Sequence, residues 1–132
     1  MCGIVGAVGK NLQIEILSQS VNTLKYRGPD AQGIRVFSKS WLGHTRLSIL
    51  DLDERADQPF SDYVDECSLV LNGEIYNFKE LRQNLVKDGI VFKTNSDTEV
   101  ILHSWRQLGY DCFLAFTGMF AFAIWDRQKE KL

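Results

Sequence analysis

The chain lacks the features that mark several function classes. Lys and Arg are not gathered in any stretch: 15 basic residues stand against 17 acidic ones, for a net charge of -2. Without a basic stripe, neither nucleic acid nor an anionic membrane surface is an expected partner. No apolar run approaches the ~18 residues needed to span a bilayer. The opening Met1-Cys2-Gly3-Ile4-Val5-Gly6 has no basic residue ahead of its apolar stretch, so no secretory leader is expected. Gly is not at position 2, which removes myristoylation. The three cysteines, Cys2, Cys67 and Cys112, are far apart and show no CxxC or Cys/His spacing. Neither a disulfide framework nor a metal site is therefore expected. Free thiols suit a reducing compartment, most simply the cytoplasm. Internal repeats, low-complexity tracts and linkers are missing too.

What is present fits one domain. The 132 residues are 45% hydrophobic and 24% charged, enough apolar material for a core without covalent staples. Residues 3–9 read as a Gly-rich buried strand. Ile14, Leu17, Val21 and Leu24 recur at helical spacing and stop before Arg27-Gly28-Pro29-Asp30, a turn by composition. Strands are expected around Gly33–Ser38 and Trp41–Ile49, and a long polar surface loop from Asp51 to Glu66. Cys67–Leu71 reads as a short strand ending at Asn72-Gly73. Asn77 with Glu80 looks like a capping pair for a helix carrying Phe78, Leu81 and Leu85 inward and stopped by Gly89. A second helix starts near Asp97, buries Val100, Ile101, Trp105 and Leu108, and stops at Gly109. Gly118–Trp125 reads as a strand buried on both faces. A polar stretch, Asp126–Lys131, follows it where a returning strand is expected, which suggests an excerpt of a longer protein.

Several residues have the chemistry for a site, each with a plainer alternative. Removal of Met1 would give Cys2 both a thiol and a free α-amine. In unstructured peptides these groups titrate at about 8.5 and about 7.7–8.0, so such an amine can serve as base for its own nucleophile. Cys2 as a small buried hydrophobe is the alternative. Arg46, in an otherwise apolar strand, suits a bidentate carboxylate, or else faces solvent. Asn72-Gly73 can offer an amide and a backbone N–H to an oxyanion, or make a hairpin turn. Asp97 can bind an ammonium group or cap its helix. Cys67 and Cys112 lie in apolar runs and read as inert core thiols.

Taken in order, six segments resemble the class II (amino-terminal nucleophile) glutamine amidotransferases. They are Met1-Cys2-Gly3-Ile4-Val5-Gly6, Arg27-Gly28-Pro29-Asp30, His44-Thr45-Arg46-Leu47-Ser48-Ile49, Asn72-Gly73-Glu74-Ile75-Tyr76-Asn77, Ser96-Asp97-Thr98-Glu99-Val100 and Gly118-Met119-Phe120-Ala121-Phe122-Ala123. The Arg-Gly-Pro-Asp, Arg-Leu-Ser-Ile and Gly-Met-Phe-Ala-Phe-Ala forms are most similar to the glutaminase domain of glutamine-hydrolysing asparagine synthetases.

The resemblance implies that residues 1–132 are a glutamine amidotransferase type 2 domain, incomplete at its C-terminal end. The implied fold is α+β, a four-layer αββα sandwich of mainly antiparallel sheets of the Ntn-hydrolase type. It implies Cys2 as nucleophile, with Asn72 and Gly73 as the oxyanion hole. Arg46 would take the glutamine α-carboxylate, Asp97 and Glu74 its α-ammonium, with backbone groups near Leu47 and Ile49 assisting. The implied partners are glutamine and a synthetase domain of the same parent chain; an oligomer stays open. No cofactor is implied for this segment. ATP and Mg belong to the synthetase domain, whose Ser-Gly-Gly-x-Asp-Ser loop does not occur here. A non-catalytic domain of this fold, or one feeding a different synthetase such as one of surface-polysaccharide assembly, is the competing reading.

Overall fold

The structure is a computed structural model. It describes residues 1–9 and 12–132; Lys10, Asn11 and the side chain of Ile14 lie outside the described part. In chain order the elements are β1 (Gly3–Val8), α1 (Ile14–Thr23), β2 (Ala31–Val36), β3 (Ser40–Arg46), β4 (Phe60–Ser61), β5 (Cys67–Ile75), α2 (Phe78–Lys87), α3 (Asp97–Leu108) and β6 (Gly118–Asp126). They form two antiparallel sheets, ordered β1-β3-β2 and β4-β5-β6.

The expected apolar stripes are what hold the elements together. Leu17 and Val21 of α1 are buried, and a Cβ added to Gly43 of β3 would meet Val21, so helix and first sheet are in close contact. The other face of that sheet meets the second through Leu42, Val70 and Trp125, with Ile4, Phe37 and Ala123 beside them. The far face of the second sheet carries the larger cluster. There Leu69, Leu71 and Ile75 pack on Phe78 and Leu85 of α2 and on Val100, Ile101 and Leu102 of α3. Burying such side chains stabilises the fold by roughly 1.5–3 kcal/mol each, before the entropy of ordering them is counted.

Several local expectations change. Leu108, expected to face inward from α3, is exposed. β1 is buried only at Gly3, because Val8 and its outward-facing neighbours have no covering layer. The first half of β6 is likewise exposed, Met119 included; only Ile124–Asp126 are buried at its end. β5 does not end at Asn72-Gly73 but runs on to Ile75, because β6 pairs with it along its whole length. Tertiary pairing outweighs the turn preference of Asn-Gly. Asn77 stands at the N-cap position of α2, but its side chain makes no capping bond: its Nδ2 donates to Ala115 O at 2.9 Å and its Oδ1 accepts from Thr117 N at 2.9 Å. Finally, the Asp51–Glu66 segment is not wholly a surface loop. It contains a 3-10 turn over Glu54–Ala56, strand β4, and buried Ala56, Gln58, Phe60 and Asp62.

The entry to α3 is fastened by a buried carboxylate. Ser96 is the N-cap, and its hydroxyl accepts from Glu99 N. Glu99 itself accepts from Lys93 N, Thr94 N and the Thr94 hydroxyl, and meets His103 Nε2 at 3.4 Å. Burial would raise its pKa, but the bonds from His103, Lys93 and Thr94 outweigh that and lower it to about 2. The folded value lies below the ordinary 4.5, so the stabilisation is present above about pH 4.5 and is lost as pH falls towards about 2. Thermal unfolding followed from pH 6 to pH 2, with pH as the experimental variable, should show this loss. Glu99→Gln should lower stability by about 2–3 kcal/mol at neutral pH and flatten the acid limb.

Candidate functional site

β1 and β3 carry Cys2 and Arg46 to the same end of the first sheet, since Gly3 pairs with Thr45. Cys2 is half-buried, and its Sγ accepts from Leu47 N at 3.4 Å. Its carbonyl accepts from Arg27 Nε at 3.0 Å. The Arg27–Asp30 turn is seated against β3 so tightly that a Cβ on Gly28 would stand 2.3 Å from the Thr45 carbonyl. From that seat, Asp30 donates N–H to Arg46 O at 3.0 Å, and its carboxylate accepts from Ser48 N at 2.8 Å. The turn thus ties Cys2 to the Leu47–Ile49 segment.

A cavity of about 180 Å³ opens beside Cys2. Arg46, Leu47, Ile49, Gly73, Glu74 and Asp97 line it together with Cys2 and Met1. Of the expected site residues, Asn72 alone is outside the lining. It shares its face of β5 with Val70, towards the sheet that bears Cys2. Asn72 is half-buried, and its Oδ1 is buried with no hydrogen-bond partner.

The edge of β5 explains how Gly73 comes to the cavity. Tyr76 donates to Thr117 O across β5 and β6. By the alternation of an antiparallel ladder, Leu71, Gly73 and Ile75 turn their N–H groups to the opposite edge. There Gln58 Oε1 accepts from Leu71 N at 2.6 Å and Asp97 Oδ2 accepts from Ile75 N at 3.0 Å. Between them the Gly73 N–H has no side-chain acceptor among the described residues, and Gly73 lines the cavity. Gly73 has φ of +137°, and an added Cβ would stand 2.2 Å from Met119 O, so only glycine fits.

Arg46 is 6% exposed, which overturns the solvent-facing alternative. Its Nη1 donates to Asp53 O and to the Asp57 carboxylate, and its Nη2 to Leu50 O and Asp51 O. The guanidinium therefore organises the loop that walls the cavity, and a carboxylate ligand would share it with, or displace, Asp57. Asp97 is not the helix cap, a place Ser96 takes; its carboxylate serves the β5 edge instead. Burial, and less strongly the nearby Glu74, raise its pKa, while the N–H groups of Ile75 and Thr98 hold it down. The other two thiols are remote from this chemistry. Burial, with Asp126 and Asp111 respectively, pushes Cys67 and Cys112 up to about 11, leaving them protonated at neutral pH.

Sequence patterns gave no hint of the parts played by Arg27, His44, Asp57 and Gln58. The Gln58-Pro59-Phe60 step, apolar within an acidic segment, was the signal that this loop dips into the protein.

A family model described as a glutamine amidotransferase domain matches residues 1–132. A putative glutamine-hydrolyzing asparagine synthetase of Methanocaldococcus jannaschii is 40% identical over 98% of this chain and 28% of its own length. Glutamine-hydrolyzing asparagine synthetases 2 and 1 of Bacillus subtilis are 38% and 40% identical over the whole of this chain. The chain spans 18% and 22% of their lengths.

Proposed function

The chain belongs to the glutamine amidotransferase domain family, and from that premise we propose that it hydrolyses the side-chain amide of glutamine at Cys2. The observation that carries this reading is the convergence of Cys2, Gly73, and Arg46 with Asp97 on one cavity. The Sγ attacks the carboxamide carbon, and the Cys2 α-amine takes the thiol proton and gives it to the departing ammonia. The tetrahedral oxyanion is held by the Gly73 N–H, with Asn72 assisting from its neighbouring face. Collapse breaks the C–N bond and leaves a thioester, which water cleaves to glutamate and the free thiol. Arg46 receives the α-carboxylate; Asp97 and Glu74 receive the α-ammonium, and backbone groups at Leu47 and Ile49 assist. An amide without those two charged groups would leave Arg46 and Asp97 without their substrate partners, so glutamine is preferred.

Met1 lines the cavity and is 65% exposed, so its removal both widens the opening and uncovers the amine. The contact of α1 with the first sheet, and of α2 and α3 with the second, supports a four-layer αββα reading of the fold. The names of the relatives support an asparagine synthetase parent. There a synthetase domain, using ATP and Mg, would pass the ammonia to activated aspartate, in the cytoplasm. A packing domain, or service to a different synthetase, has no feature of this cavity in its favour.

The test is intact mass before and after treatment with a glutamine-like electrophile, followed by peptide mapping. Loss of Met1 and one adduct on Cys2 are the expected result. Labelling spread over Cys2, Cys67 and Cys112 would overturn the assignment.

A further inference from the structure

β5 has an incomplete neighbour. β4 pairs only Phe60 with Leu69 and Ser61 with Ser68, so among the described residues the edge beyond Leu69 has no strand beside it. A strand edge left in this way needs other partners for its backbone groups. At Leu71, two residues before Gly73, both groups are met by buried side chains. Gln58 Oε1 accepts the N–H at 2.6 Å, and the carbonyl lies 3.1 Å from His44 Nε2. Gln58 is fixed in turn by donating from Nε2 to the Thr98 hydroxyl at 3.1 Å, on the first turn of α3.

His44 has an arrangement that packing alone does not call for. The Leu71 carbonyl is an acceptor, so Nε2 carries the proton and Nδ1 is a bare lone pair. That Nδ1 is buried with no partner, a cost that an apolar side chain would not incur. Burial, with Arg46 as a lesser cause, lowers the ring's pKa to about 4, so it stays neutral and keeps its single donor at Nε2. His44 also reaches from β3, which carries Arg46, across to β5 in the other sheet.

We propose that His44 and Gln58 are positioning residues that take the place of a neighbouring strand at Leu71 and so fix the height and direction of the Gly73 N–H over the cavity. Gln58 sets β5 against α3, and His44 sets it against the sheet that bears Cys2. This rests on the glutaminase reading. It adds to that reading His44, which stands outside the cavity lining, and Gln58, which lines the cavity but is turned to Leu71 and Thr98 through its amide. An oxyanion donor displaced by about 1 Å costs on the order of 100-fold in rate.

The experiment uses the full-length chain and four variants: His44→Leu, His44→Gln, Gln58→Met and Gln58→Glu. Three quantities are read: kcat and KM for glutamine, the affinity for glutamate γ-semialdehyde, and the rate of Cys2 alkylation by iodoacetamide. The aldehyde adds the thiol to its carbonyl and forms a hemithioacetal with an oxygen in the oxyanion position, whereas alkylation displaces iodide and needs no such donor. Wild-type turnover tests the glutaminase reading by itself, and the variants test the positioning.

In His44→Leu and Gln58→Met, kcat should fall about 10–100-fold and aldehyde affinity by the same factor, with KM and alkylation within about threefold of wild type. His44→Gln keeps a donor for the Leu71 carbonyl, and Gln58→Glu keeps an acceptor for its N–H. Both should stay within about fivefold of wild type in kcat. If the apolar variants fail to fold, the conservative pair still decides. A folded His44→Gln or Gln58→Glu that loses 100-fold overturns the proposal. So does a loss of kcat that leaves aldehyde affinity unchanged.

Discussion

Cys2→Ala in the full-length protein should abolish turnover of glutamine while reaction fed by free ammonia continues. The substitution removes the only protein atom in the mechanism that forms a bond to the substrate carbon. Losing the nucleophile of a comparable covalent hydrolase costs about 10⁶ in kcat, so the glutamine-dependent rate should drop below detection. The fold should survive, because Cys2 is half-buried just before β1 and, among the described residues, its thiol hydrogen-bonds only the Leu47 backbone. Parallel assays with glutamine and with an ammonium salt read both halves. Retained glutamine turnover would falsify the assignment of the nucleophile. Loss of both activities would point to damage beyond the thiol.

Gly73→Ala should produce the largest combined loss of stability and rate. The new methyl would stand 2.2 Å from Met119 O and 2.5 Å from Phe120 Cα, both main-chain atoms of β6. Backbone cannot swing aside as a side chain does, so β5 and β6 must part locally. The φ of +137° adds a conformational penalty for any residue with a Cβ. Together these should cost about 3 kcal/mol or more, read from the midpoint of urea unfolding. The displaced N–H should reduce kcat for glutamine by at least about 10² in whatever fraction remains folded. Gly89→Ala is the control. Gly89 also has positive φ, +90°, but nothing lies within 4 Å of its added Cβ. It should cost only about 1 kcal/mol and leave glutamine turnover unchanged.

How much of this was legible beforehand depended on the range of the interaction. Helix α2 was readable because Phe78, Leu81 and Leu85 repeat at the helical period, and Gly89 and Gly109 follow α2 and α3 with positive φ. The stripe expected of α3 was less accurate: the helix is buried all along Asp97–Ser104, whereas Leu108, expected inward, is exposed. Ser96 took the cap expected of Asp97 because a hydroxyl one residue earlier reaches Glu99 N. Cys2, Arg46, Gly73 and Asp97 could be singled out by residue type, and resemblance joined them into a site. What could not be read were contacts between segments distant in the chain. Arg27 to the Cys2 carbonyl, His44 and Gln58 to Leu71, and Asp57 to Arg46 leave no periodic trace. The same holds for β5 passing through Asn72-Gly73: the local turn preference is plain, whereas the pairing that overrides it comes from residues 118–126. Burial of β1 and β6 was overestimated because an apolar run does not say how many of its faces will be covered.

On the proposed mechanism, the thin layer between the two sheets would act as a gauge for the reaction. Cys2 hangs from one sheet and Gly73 from the other, so the gap that the substrate carbonyl must bridge is set by the thickness of what lies between. That layer contains Leu42, Val70 and Trp125 with Ile4, Phe37 and Ala123 beside them, and His44 spans it near the site. Close-packed interiors register a change of even one methylene. On that mechanism Leu42 and Val70 would be spacers whose size is read out as chemistry, although neither lines the cavity.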